Sequence, residues 1–116
     1  VSVRVFLVDD HELVRAGLRQ FMDAEPDLEV VGEAESVGEA MVLVPRAGPD
    51  VVIVDLRLPD GDGVELCREI RSRAPEARVL ILTSFADDAA LLDSILAGAS
   101  GYTLKTTRRE ELVADV

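Results

Sequence analysis

Short aliphatic runs alternate with amphipathic stretches along the whole chain. Val3 to Val8 is almost wholly apolar and reads as a buried strand. From His11 to Met22 the apolar positions Leu13, Val14, Leu18, Phe21 and Met22 fall at helical spacing, and Asp10 stands where a helix N-cap would be. Glu29 to Gly32 is a second, weaker strand. Val37, Ala40, Met41 and Val44 recur at i, i+3, i+4 and i+7, and Pro45 and Pro49 close that helix. Val51 to Val54 is an aliphatic strand ending at Asp55, and the stretch Leu58 to Gly63, rich in proline, aspartate and glycine, must turn sharply. Leu66, Cys67, Ile70 and Ala74 mark a third helix, and Val79 to Leu82 a fourth strand ending at Thr83. Leu91, Leu92, Ile95 and Leu96 share one side of a fourth helix that Gly98 stops. Gly101 to Leu104 is a short fifth strand, and a fifth helix begins near Arg108. The chain ends at Val116, about two turns into that helix, so the last helix reads as truncated.

Five strands and five helices in strict alternation predict an α/β domain, a parallel sheet with helices on both faces. The composition agrees. Hydrophobic residues make up 48% of the 116 and aromatics only 3%, and aliphatic strands of this kind suit a sheet covered on both sides. That length fits one domain, residues 1–116, and that apolar content excludes a disordered tail.

The formal net charge of −11 repels phosphate backbones, so these residues alone are not expected to grip nucleic acid. The single cysteine, Cys67, makes no internal disulfide and falls on an apolar helical stripe, which favours a core position. No apolar run approaches the roughly 18 residues of a membrane helix. No signal-peptide pattern opens the chain, so a cytoplasmic protein without membrane contact is expected. Of the 12 basic residues only Lys105 is a lysine, a compact ammonium where arginine is otherwise the default cation.

In an open parallel sheet, ligands bind beyond the carboxyl ends of the strands, where the strand order reverses. With the common five-strand order 2-1-3-4-5, strands 1 and 3 lie side by side there. Asp9 and Asp10 then meet Asp55, and the neighbouring strand ends add Thr83 and Lys105. Three adjacent carboxylates cannot all stay ionised without compensation. An oxygen-only donor set, with no histidine at the strand ends, favours a hard cation, and Mg2+ is the natural one. A carboxylate beside such an ion can attack a phosphorus centre and form an acyl phosphate. Lys105 would neutralise the transferred group, and the Thr83 hydroxyl would hydrogen-bond one of its oxygens.

Plainer readings exist for each residue. Asp9 and Asp10 suit a helix cap, Asp55 and Thr83 suit ordinary strand ends, and Tyr102 suits simple packing. Convergence on one rim favours the functional reading. His11 reads as a first-turn helix residue beside the site rather than a catalyst. Arg57 and Phe85 lie near the pocket and are candidates for tuning how long a phosphoryl group survives.

Four segments occur in order: Val8-Asp9-Asp10-His11, Val54-Asp55-Leu56-Arg57-Leu58-Pro59-Asp60-Gly61, Leu82-Thr83-Ser84 and Gly101-Tyr102-Thr103-Leu104-Lys105. On these the chain resembles, over its full length, the receiver domain of two-component response regulators. The Asp-Asp-His opening and the run Gly98-Ala99-Ser100-Gly101-Tyr102 look like the NarL/LuxR-type branch. Asp60 to Arg68 is similar to actinobacterial hypoxia and dormancy regulators.

The resemblance implies a flavodoxin-like (βα)5 doubly wound sheet of order 2-1-3-4-5 with Asp55 as phosphoacceptor. It implies Mg2+ bound by Asp10, Asp55 and the backbone carbonyl of Arg57, with Asp9 acting through a water. Thr83 and Lys105 would hold the phosphoryl group. Tyr102 occupies the family's aromatic switch position and would turn inward when Thr83 is drawn toward the phosphate, remodelling the face of helix 4, strand 5 and helix 5. The implied partners are a sensor histidine kinase, a second copy in a phosphorylated homodimer, and DNA through a C-terminal helix-turn-helix domain that these residues do not contain.

One departure stands out: Thr106 follows Lys105 where many receivers have a proline after a cis peptide. A cis bond there would cost about 3 kcal/mol, so trans is expected. The domain would catalyse only its own phosphotransfer and dephosphorylation. An aspartate-nucleophile phosphatase would need an aspartate at position 57, which is arginine. An FMN carrier would not place Asp9-Asp10-His11 against a phosphate. The most serious rival is a phosphorylation-independent association module, disfavoured because the acidic residues and the lysine are all present.

Overall fold

The core strands form where aliphatic residues run unbroken, because only a sheet covered on both faces removes every side chain of such a run from water. In a computed structural model, residues 2–55, 57–83 and 101–104 are described, the side chains of 57, 83 and 101–104 excepted. Their elements are β1 (Val3–Val8), α1 (Glu12–Asp23), β2 (Leu28–Ala34), α2 (Val37–Ala47), β3 (Val51–Asp55), β4 (Arg57–Leu58), β5 (Gly61–Asp62), α3 (Gly63–Arg73), β6 (Arg78–Thr83) and β7 (Gly101–Leu104). The main sheet is parallel in the order β2-β1-β3-β6-β7. With the short β4–β5 hairpin set aside, this is the expected 2-1-3-4-5. The fourth helix and the truncated fifth lie outside the described residues.

Successive side chains of a strand point to opposite faces, and the sheet is doubly covered as a result. Phe6, Val8, Val52, Val54, Val79 and Ile81 pack with Ala40 and Val44 of α2 and Leu66, Cys67 and Ile70 of α3. Val5, Leu7, Val51, Ile53, Leu80 and Leu82 meet Leu18 and Met22 of α1 on the other face. Leu13, placed by its spacing among the apolar positions of α1, instead points to solvent and is 88% exposed.

Three local expectations are corrected. The N-cap of α1 is His11, not Asp10, and its side chain makes no capping bond. The β2 strand does not end at Gly32 but continues to Ala34. Helix α2 runs through Pro45 to Ala47 and stops at Gly48, whose φ of 58° gives the left-handed turn that glycine tolerates. A proline in the last turn forfeits one i→i−4 bond near a terminus, a smaller loss than in mid-helix.

The predicted sharp turn is the β4–β5 hairpin, pairing Arg57 with Asp62 and Leu58 with Gly61. Asp62 then caps α3, accepting from the Glu65 N–H at 2.8 Å. The hairpin is tied to α2 by Asp60, whose carboxylate accepts from Val37 N–H at 2.8 Å and Gly38 N–H at 3.0 Å. These two N–H groups open a helix and have no partner inside it.

Gly32 pairs with Phe6 across β1 and β2. A Cβ there would lie 2.5 Å from Phe6 Cε2, and that ring is 1% exposed with no room to retreat. Gly32→Ala should therefore destabilise the domain by about 1–3 kcal/mol in denaturant titration. Phe6→Leu in the same background should recover part of the loss; a neutral Gly32→Ala would disprove the close approach.

The bonds from Gly38 and Val37 hold the Asp60 carboxyl below its ordinary value of 3.8. A depressed folded-state pKa means the contribution is complete above 3.8 and disappears as pH falls through the lower folded value. The amide resonances of Val37 and Gly38 should thus hold still until the solution is more acidic than that, then shift together. Asp60→Asn should speed their hydrogen exchange at neutral pH. Unchanged exchange would mean that the carboxylate does not clamp α2.

Candidate functional site

The site is built by register. Val8 pairs with Val54 in adjacent parallel strands, so the next residues, Asp9 and Asp55, leave β1 and β3 side by side at the carboxyl edge. Asp55 in turn pairs with Leu82 of β6, and the next β6 residue, Thr83, pairs with Leu104 of β7. The backbone thus carries the ends of four neighbouring strands to one rim, as the crossover argument anticipates. Tyr102 pairs with Ile81 in β7, and Arg57 opens the hairpin two residues after Asp55. The side chains of Thr83, Tyr102 and Arg57 lie outside the described residues, as do Lys105, Phe85 and Thr106 entirely.

Ligand atoms of Asp9, Asp10, His11 and Asp55 all lie within 4.8 Å of one another. Asp9 and Asp55 are buried, at 2% and 5% exposure, whereas Asp10 and His11 stand on the rim. Asp9 Oδ1 accepts from the His11 backbone N–H at 2.8 Å. The His11 Nδ1 lies 3.0 Å from that oxygen and 3.1 Å from Asp10 Oδ1, so an Nδ1–H there donates between two carboxylates. A histidine thus stands beside the three carboxylates, brought in because the chain turns into α1 at this residue, with its Nδ1 turned to their oxygens. Three carboxylates remain the bulk of the set and suit a hard divalent cation.

Behind the acidic cluster lies an arginine whose role the hydrophobic pattern did not reveal. Arg15 is 8% exposed. Its NH1 donates to the Asp9 carbonyl at 2.5 Å, its Nε to Glu33 Oε1 at 3.2 Å and its NH2 to Glu35 Oε1 at 3.3 Å. Arg19 pairs with the other oxygen of Glu33. The available signal was spacing, since Arg15, Leu18 and Met22 follow at i, i+3 and i+7 and form the buried line of α1. Cys67 lies where expected, fully buried in the core, and burial pushes its thiol up to about 11. A thiol so seldom ionised is a poor nucleophile.

A model of the response regulator receiver domain matches residues 5–116. The chain is 60% identical over 114 residues to the DNA-binding transcriptional activator DevR/DosR of Mycobacterium tuberculosis, an alignment covering 98% of this chain and 52% of that protein. It therefore spans about half the length of this curated relative. A two-component response regulator of the LuxR family from Aurantimonas sp. superposes with a TM-score of 0.93 at 42% identity, covering 98% of this chain and 81% of that one. A DNA-binding response regulator of the LuxR family from Staphylococcus aureus gives 0.91 at 26% identity, covering 97% and 94%. These relatives bear out the NarL/LuxR-type branch and the likeness to an actinobacterial regulator. Among the described residues no helix is long and apolar enough to cross a membrane.

Like charges this close oppose folding, so removing one should help when no cation is present. Asp10→Asn in excess chelator should raise the unfolding free energy by about 0.5–1 kcal/mol, the modest scale of a partly solvated charge. A loss of stability in the same melt would mean that His11 already outweighs the repulsion.

Proposed function

This chain belongs to the response regulator receiver domain family, and from that premise we propose that it is a phosphorylation-driven switch, with Asp55 accepting a phosphoryl group from a sensor histidine kinase. The observation that carries the proposal is the buried Asp55 carboxylate at the end of β3, within 4.8 Å of Asp9 and Asp10. Such a carboxylate is shielded from bulk water yet lies beside the exposed Asp10 at the rim, where a phosphoryl donor must approach.

In the transfer, an Asp55 oxygen forms a bond to phosphorus as the bond from phosphorus to the donor histidine nitrogen breaks. The nitrogen keeps the electron pair, and an acyl phosphate results. Mg2+ suits the donor set because it binds through one or two carboxylates and leaves positions for water and phosphate oxygens. Asp10, Asp55 and the Arg57 carbonyl would hold it, with Asp9 acting through a water, and its charge would neutralise the transferred group. Asp9 is kept in orientation by the His11 N–H at 2.8 Å.

Lys105 and the Thr83 hydroxyl would hold the remaining phosphoryl oxygens, a preorganised set of donors aimed at the transferred charge. Movement of Thr83 toward the phosphate would let Tyr102 turn inward and reshape the face of helix 4, β7 and helix 5. That face would then support a homodimer. Residues 1–116 would form the receiver domain, and a C-terminal helix-turn-helix domain would bind DNA. The net charge of −11 supports this division, since these residues repel a phosphate backbone. The domain acts on itself and in signalling, in keeping with relatives that are transcriptional regulators.

Intact-protein mass spectrometry after incubation with acetyl phosphate and MgCl2 should show a gain of one phosphoryl group. The gain should vanish without magnesium and in Asp55→Asn. A wild type that binds magnesium but takes up no phosphoryl group would instead favour the phosphorylation-independent association module.

A further inference from the structure

The turn that carries Asp9 and Asp10 is held from behind, and that hold is not used by the phosphoryl chemistry itself. Asp9 is the first residue past β1. Its N–H still reaches β2, donating to the Ala34 carbonyl at 3.1 Å. Its carbonyl receives Arg15 NH1 at 2.5 Å, from a residue one turn into α1. The carbonyl belongs to the peptide joining Asp9 to Asp10, so fixing it fixes the plane from which both side chains depart.

The guanidinium is itself fixed. Its three nitrogens bond three acceptors, on Asp9, Glu33 and Glu35. A planar fork held at all three nitrogens cannot rotate to release one without losing the others. Arg19 grips Glu33 from its far side, so the anchor extends along α1. The Arg15 side chain is 10% exposed and that of Glu33 20%, which removes most competing water. Two carboxylates flank Arg15, so its charge is spent locally and what reaches the acidic cluster is position.

We propose that Arg15 is a positioning residue of the phosphoacceptor site: by clamping the Asp9–Asp10 peptide against β2 it preorganises the two aspartates for the divalent cation. The proposal rests on the reading of Asp55 as a magnesium-assisted phosphoacceptor. Repulsion among Asp9, Asp10 and Asp55 drives the turn to open, and the clamp opposes that opening before a cation arrives. Its loss should weaken cation binding, while a cation at saturation restores the arrangement and with it the rate.

The test is calorimetric titration with MgCl2 alongside the rate of phosphorylation by acetyl phosphate at saturating magnesium. Arg15→Met should raise the Mg2+ Kd about tenfold, the usual cost of losing a group that orients a metal ligand. The saturated rate should stay within about twofold of wild type, a split that general loosening of the fold would not give, since it would lower both. Arg15→Lys, which can still reach the Asp9 carbonyl with one donor, should recover most of the affinity. Glu35→Gln, altering the exposed side of the clamp, should give a smaller rise in Kd.

Wild-type affinity in a folded Arg15→Met protein overturns the proposal, as does an equal fall in affinity and saturated rate. If Arg15→Met does not fold, wild-type affinity in both Arg15→Lys and Glu35→Gln overturns it. Failure of the wild type to bind magnesium or gain a phosphoryl group would strike the function proposed above, which the wild-type arm reports separately.

Discussion

The repulsion among Asp9, Asp10 and Asp55, whose ligand atoms lie within 4.8 Å of one another at the ends of β1 and β3, is the constraint on which the rest of the molecule depends. Two unit charges about 4 Å apart interact by about 4 kcal/mol at the effective dielectric of a protein surface. A domain's whole stability is only about 5–15 kcal/mol. The backbone beneath the cluster is tied at several points. Asp9 alone uses its N–H on Ala34, its carbonyl on Arg15 and a side-chain oxygen on the His11 N–H. Stored repulsion of this kind is also what gives a cation or an incoming positive group something to relieve.

Rigidity below the cluster comes from the sheet. Each strand residue faces one of two apolar layers, so sliding β1 against β3 by one position would exchange the two layers and turn every contact over. Phe6 locks β1 to β2 through the space that Gly32 leaves. On the face of the sheet opposite α1, Asp60 ties the hairpin to the start of α2. The acidic rim is thus braced from α1 on one flank and α2 on the other. Both braces are charged groups bonded to main-chain atoms, which hold a loop's path more directly than side-chain packing does.

Most of the architecture was readable because strand and helix periods differ and the aliphatic runs are unambiguous. Val3–Val8, Val51–Asp55 and the segment ending at Thr83 fell where the pattern put them. The gathering of Asp9, Asp10 and Asp55 followed from strand order alone. What escaped was set by contacts distant in sequence. Gly32 looks like a strand terminator until Phe6 is seen lying across it, and Pro45 looks like a helix end until its place in the last turn is known. Leu13, on the apolar pattern of α1, faces water, while His11, expected beside the site, lies against the carboxylates themselves. One turn of helix offers both faces, and the direction of approach from β1 decides which is used. Arg15 escaped because a charged residue on an apolar line is taken for surface unless its acceptors, 6, 18 and 20 residues away, are known.

Three arginines of the described residues share a habit that bears on the proposed chemistry. Arg4 donates to the Gly48 carbonyl, Arg15 to that of Asp9, and Arg71 to those of Pro75 and Ala77. In each case a forked cation holds a loop carbonyl in one place, work suited to several fixed donors on a rigid plane. A group that must follow an arriving and departing phosphoryl needs the opposite property, a compact charge on a flexible stem. Lys105 is the one residue of that type in the sequence. On this argument, arginine would hold the proposed site still while the lone lysine answers the ligand, and an arginine in place of Lys105 would not be conservative.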